Sequence, residues 1–296
     1  MTSESTAQAG TQTATAASSD AAAGATVNAT GGFTLQQFDK RQFAIMIGVG
    51  LIAGFLSGLF GIGGGTVIVP ALVWLGLTQR HAAATSMLAI VPTSISGVIS
   101  YALNGNVDWI AALLVFCGMF VGGQIGSWLL ARLPKLVLRW VFVAFLVFVI
   151  INQALFVPSR DSFIDLNVTT GIEMAVFGIV AGILAGLLGI GGGAICVPAL
   201  SILFGASDLI ARGTSLLAMF PNAITTSVAN VKRGMVHVKA SLIIGIIAAC
   251  ITPFGTWLAG LASPTVNTVL FIVYLGALLI RSIWVAWKAT QAVRAA

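Results

Sequence analysis

The chain has 296 residues, of which 58% are hydrophobic and only 7% charged, with a net charge of +6. A soluble domain carries about 25% charged residues, so this inventory excludes a water-facing globular surface and points to an all-α polytopic membrane protein. The basic residues sit at the ends of apolar segments, which argues for a lipid bilayer and against nucleic acid as the partner.

Residues 1–40 are rich in Ala, Thr, Ser and Gly and lack the basic and apolar blocks of a secretory signal, so they read as a disordered cytoplasmic tail. Five apolar segments follow at about 43–60, 66–77, 84–103, 109–131 and 139–157. Five more lie at about 171–188, 194–205, 214–231, 240–262 and 265–287. Segments 66–77 and 194–205 are too short to cross. Twelve residues of helix cover about 18 Å, against a hydrocarbon core of about 30 Å. Each begins at a GIGGG run, Gly61–Gly65 or Gly189–Gly193. Glycine costs a helix about 1 kcal/mol per position relative to alanine, so these runs predict unwound backbone followed by a half-helix inside the membrane.

The two sets of five are an internal repeat. Residues 53–72 recur at 181–200 with a constant offset of 128. After a one-residue insertion the offset becomes 129, relating Thr85-Ser86 to Thr214-Ser215, Pro92 to Pro221 and Trp128 to Trp257. The first repeat is assigned to 41–160, the second to 161–288, and 289–296 form a short cytoplasmic tail. If each broken segment returns to the side it entered from, three crossings per repeat invert the second half. Lys40, Arg41, Arg80, Arg132, Lys135, Arg139, Lys232, Arg233, Lys239, Lys288 and Arg294 then share one side. Asp108, Arg160, Asp161, Asp165, Asp208 and Arg212 share the other. The positive-inside rule makes the first side cytoplasmic, with both termini there.

A helix that starts within the bilayer carries amides that lipid cannot satisfy, together with the positive end of its dipole. Gly61, Gly63, Gly64, Gly65 and Thr66 at one break, and Gly189, Gly191, Gly192 and Gly193 at the other, are therefore candidates for binding an anion near the midplane. Thr85, Ser86, Thr93, Thr214, Ser215 and Asn222, on the segments after the half-helices, are the candidate polar lining. Their hydroxyls can equally serve their own backbone. No acidic or basic residue is expected deep in a span, so backbone dipoles rather than a fixed cation would hold the cargo. The glycine rows at Gly50, Gly54 and Gly58 and at Gly118, Gly122 and Gly126 read as close helix packing. Cys117, Cys196 and Cys250 read as small packing residues without metal-ligand spacing; no metal, cofactor or catalytic residue is expected.

The duplicated "AGFLSGLFGIGGGTVIVPAL" and "AGILAGLLGIGGGAICVPAL", with the trailing "ATSMLAIVPTSISGVISYALNGNVDW" and "GTSLLAMFPNAITTSVANVKRGMVHV", resemble the TauE/SafE sulfite and organosulfonate exporters over about residues 43–287. The resemblance implies a plasma-membrane transporter for sulfite or C2–C3 sulfonates such as sulfoacetate, made of two inverted five-segment halves, with a homodimer as one assembly. It also implies that Gly61–Gly65 and Gly189–Gly193 are the family's loops. The change from "PTS" at Pro92–Ser94 to "PNA" at Pro221–Ala223 makes the lining unequal in the two halves. The leading expectation is a secondary exporter of small sulfur-containing anions. Transport of another oxyanion or of a metal cation is the alternative. An enzyme would need a nucleophile with a positioned base at membrane depth, and none is evident.

Overall fold

The computed structural model describes residues 40–155, 164 and 166–294. Among them the chain forms ten helices and no strand. The first five are α1 (Lys40–Phe60), α2 (Gly65–Trp74), α3 (Gln79–Ala102), α4 (Trp109–Arg132) and α5 (Lys135–Leu155). The second five are α6 (Val168–Leu188), α7 (Gly193–Ile202), α8 (Asp208–Lys232), α9 (Val238–Leu261) and α10 (Pro264–Arg294). Every apolar segment read from the sequence has its helix, and both breaks fall at GIGGG. Seven helices are long and apolar enough to cross a membrane, while α2 and α7 have 10 residues each, about 15 Å. The 25-residue α8 is long enough, but its polar residues keep it out of that set. The proposed N-terminal tail, Arg160, Asp161 and Asp165 lie outside the described residues.

Helix starts follow the capping side chains rather than the hydropathy. Thr78 and Ser207 accept from the backbone amides of His81 and Ile210, so α3 and α8 begin several residues before their apolar runs. Asp108 caps α4 through the amides of Ile110 and Ala111, and Asn167 caps α6 through that of Thr170. The early start of α8 takes Asp208 and Arg212 into the helix, with consequences described below.

From Gln42 onward the helices form one compact unit. In it α4 lies along α6, α3 lies between α8 and α9, and α10 packs on α5. The α4–α6 seam is closed by glycine. A Cβ at Gly118, Gly122 or Gly126 would run into the carbonyl oxygen of Ala175, Ile179 or Ile183. The α1–α9 seam repeats this, with Gly54 against the Ala248 carbonyl and Gly58 against that of Thr252. These rows do pack helices, backbone to backbone. The offset maps α1 onto α6 and α9 onto α4, so each broken helix lies against the fourth helix of the other half. Of the cysteines, Cys196 is buried but Cys117 and Cys250 are exposed on the outer faces of their helices, so the packing reading holds for Cys196 alone.

Candidate functional site

The two breaks have the same local geometry because glycine alone adopts it without strain. Gly61, Gly63 and Gly64 have φ of 71°, 73° and 76°, and Gly189, Gly191 and Gly192 have 71°, 78° and 95°. In that left-handed region α1 and α6 stop and α2 and α7 begin. Gly64 and Gly192 take the N-cap positions and offer no side chain to the amides behind them. Among the described residues, the backbone amides of Gly63, Gly64, Gly65 and Thr66 donate to no protein group, and neither do those of Gly191, Gly192, Gly193 and Ala194. In each break the next amide inward, that of Val67 or Ile195, is held by the N-cap carbonyl.

These two helix starts cross. A Cβ on Gly65 would sit 2.6 Å from the Ile190 Cα, and one on Gly193 would sit 2.6 Å from the Gly61 carbonyl oxygen and 2.7 Å from the Ile62 Cα. Such reciprocity, where i touches j′ and i′ touches j, is what a two-fold relation produces. It brings to one place two positive dipole ends and eight amides that have no acceptor among the described residues. The space in front of both breaks holds two side chains at equivalent positions, Ile90 of α3 and Met219 of α8. A Cβ on Gly191 would lie 2.5 Å from Met219 Cε and 3.0 Å from Ile90 Cδ1, and Gly63 faces the same pair. Both are fully buried, so the crossing is closed by two apolar plugs.

The predicted hydroxyls lace one half to the other. Ser86 donates to the Gly189 carbonyl at 2.6 Å, and Ser215 to the Gly61 carbonyl at 3.3 Å. Thr85 accepts from the His237 amide and Thr214 from the Asp108 amide, both at 2.9 Å. The serines therefore sit on the breaks, whereas the threonines hold the turns before α9 and α4. Thr66 accepts from the Tyr274 hydroxyl at 2.8 Å, and Thr93 donates to its own Ala89 carbonyl at 3.0 Å. Asn222 is buried, its Oδ1 3.5 Å from the Thr226 hydroxyl and its Nδ2 without a partner among the described residues.

One expectation fails. A cation does lie beside a break. Arg212 is buried, with its Cα and Cβ packed on Gly61 and its Nη1 donating to the Leu59 carbonyl at 2.6 Å. Its Nη2 lies 3.7 Å from the Asp208 carboxylate, and both side chains are almost wholly enclosed, at 6% and 2% exposed. Tyr101 donates to the neighbouring Gly58 carbonyl at 2.7 Å. The physical reason is the break itself: where α1 unwinds, its last carbonyls lose their helical donors, and Tyr101 and Arg212 replace them. Asp208 likewise places a titratable group near the site, where none was expected. Arg281 also lies within the span 265–287, although it is exposed and reaches the Pro70 carbonyl only at 3.4 Å. Hydropathy missed Arg212 by leaving it in a loop. The repeat carries a signal for it, because the offset of 129 pairs Arg212 with Ala83 and Tyr101 with Asn230. At those positions the two breaks are latched differently.

Among the described residues, seven helices long and apolar enough to cross, two half-helices and a buried meeting of helix starts define a multi-pass membrane protein with the broken-helix architecture of secondary transporters. The family model for the sulfite exporters TauE/SafE matches residues 45–282, with a further match over 7–153, and the chain belongs to that family of membrane transporters. It is similar to the probable membrane transporter protein YunE of Bacillus subtilis, 29% identical over 253 residues that cover 76% of this chain and 89% of the relative. A probable membrane transporter protein of Xylella fastidiosa is 28% identical over 263 residues, 85% of this chain and 99% of that one. One from Haemophilus influenzae is 34% identical over 170 residues, 52% and 60% of the two chains. No solved structure matches the chain.

Proposed function

We propose that this transporter exports small sulfur-containing anions, sulfite or C2–C3 organosulfonates such as sulfoacetate, across the plasma membrane by alternating access. The observation that carries the reading is the crossing of two glycine breaks, with eight backbone amides that donate to no acceptor among the described residues. Oriented peptide dipoles at two helix starts favour negative charge, and a pyramidal oxyanion offers several acceptor oxygens to such a set. Arg212 adds a fixed positive charge on the Gly61 side, partly balanced by Asp208. A wholly neutral amide cradle is thus no longer the whole of the electrostatics.

In this reading the two halves have opposite orientations in the membrane, with the termini cytoplasmic, and they rock about the crossing. Ile90 and Met219 withdraw as an anion arrives, and the Ser86 and Ser215 hydroxyls exchange a break carbonyl for cargo. An inside-negative potential drives anions outward at about 2.3 kcal/mol per charge per 100 mV, so a uniporter needs no coupling ion. The test is efflux from proteoliposomes loaded with sulfite, sulfoacetate or sulfate at a set potential. Efflux of sulfite or sulfoacetate that steepens with an inside-negative potential supports the reading. Flux of none of the sulfur anions overturns it, and flux independent of potential overturns the uniport form.

A further inference from the structure

Helix α8 carries more buried polar side chains than the break requires. Asn222, Thr226 and Asn230, four residues apart in turn, share one face and span about 12 Å along the axis. All three are fully buried. Asn230 has neither Oδ1 nor Nδ2 partnered among the described residues, and Asn222 Nδ2 and Ser227 Oγ are in the same condition. A buried amide without partners costs stability, on the order of 1–3 kcal/mol per group. Two of them on one face therefore call for an occasional partner that is not protein.

The surroundings point to its chemistry. At one end of the stripe Met219 plugs the crossing of the breaks. Opposite Asn222 and Thr226, α4 presents the bare backbone of Gly123, where a Cβ would meet the Asn222 Oδ1 and lie 2.9 Å from the Thr226 hydroxyl. At the other end the exposed Arg233 donates to the Ser127 hydroxyl at 3.0 Å. Among the described residues the unpartnered groups along this line are chiefly N–H and O–H donors, and the charges at its Arg233 end, those of Lys232 and Arg233, are positive. The equivalent face of α3 offers nothing similar, since Gly97 stands for Thr226 and Tyr101, bonded to Gly58, stands for Asn230.

Resting on the anion-transport reading above, we propose that the Asn222–Thr226–Asn230 face of α8 is the track by which the anion moves between Arg233, on the side read as cytoplasmic, and the crossing of the breaks. The track belongs to one half only, so entry and exit use different chemistry. Cargo is led in by neutral donors on α8 and leaves past the Arg212–Asp208 latch.

The test uses the full chain with Cys117, Cys196 and Cys250 replaced by serine and Asn230→Cys added, in vesicles open to reagent on the Arg233 side. Rates of modification are compared for a sulfonate-bearing and a trimethylammonium-bearing methanethiosulfonate, with Gly234→Cys in the neighbouring turn as reference. The track predicts an anion-to-cation rate ratio at position 230 at least tenfold above the reference. No modification by either reagent, or an equal ratio, overturns it. Asn230→Leu supplies the second arm: it keeps or raises Tm, because an unpartnered amide is lost, while efflux of the transported anion falls at least tenfold. Unchanged efflux overturns the track. A high rate ratio in a protein that moves no sulfur anion leaves the track standing and rejects only the assigned cargo.

Discussion

Replacing Arg212 with Gln removes the guanidinium from an almost wholly enclosed site. The Asp208 carboxylate, 2% exposed and 3.7 Å away, loses its cation. The Leu59 carbonyl loses a 2.6 Å donor. Removing one member of a buried ion pair typically costs about 3–5 kcal/mol, and a hydrogen bond to a charged group contributes about 1.5–3 kcal/mol. Both losses arise from the same truncation and overlap, so the expected destabilisation of Arg212→Gln is about 3–5 kcal/mol. Adding Asp208→Asn removes the carboxylate that Arg212 faces and leaves mainly the orphaned carbonyl, so the double variant should lose only about 1.5–3 kcal/mol. The double variant is then more stable than Arg212→Gln alone. Reversible unfolding in mixed micelles, run on the single and double variants, reads this directly as a coupling of opposite sign to simple addition. Losses that add within about 0.5 kcal/mol would refute the latch.

Cutting both plugs, with Ile90→Ala and Met219→Ala together, should open a leak. Anion efflux would become less selective and faster at low driving force, and unchanged selectivity among sulfite, sulfate and chloride would speak against their position as a gate. Thr85→Val and Thr214→Val each strand one backbone amide, of His237 and Asp108 respectively, so each should lower stability by about 1–3 kcal/mol. A large loss in one and none in the other would break the equivalence of the two halves. His237, in the turn before α9, has its pKa lowered, first by burial and then by the nearby His81. A lowered folded-state pKa means that the unfolded chain binds more protons. Stability from this group is therefore present above about pH 6.5 and is lost as pH falls through the lower folded value. Thermal stability should decline below about pH 6.5 and His237→Gln should flatten that decline; an unchanged slope would remove His237 as its cause.

The breaks were legible because glycine is read directly. Three left-handed glycines within four residues leave few alternatives, and their repetition at a fixed offset ties two distant segments into one design. The packing rows at Gly54 and Gly118 were legible for the same reason. Side chains that serve the breaks were harder to read. Ser86 and Ser215 stood out as polar residues in apolar helices, yet nothing in their spacing says that each reaches the carbonyl of the opposite break. Ile90 and Met219 look like ordinary core residues until the two half-helix starts meet in front of them. Arg212 was hidden by a boundary. Hydropathy begins α8 after the charged residues, whereas the Ser207 cap begins it before them. One turn of helix separates an arginine at the rim from an arginine packed on Gly61. The unequal residues of the repeat, Arg212 against Ala83 and Asn230 against Tyr101, mark where the halves differ in role.

Selenite is a heavier isostere of sulfite, and its anomalous scattering can be located in crystals of the protein–anion complex. The account predicts one dominant peak at the crossing, placed so that the anion's oxygens come within about 3 Å of amides among Gly63–Thr66 and Gly191–Ala194, with Ile90 and Met219 turned out of the space they now fill. A protein that binds selenite in solution but shows its peak only at surface arginines, with both plugs in place, would contradict it.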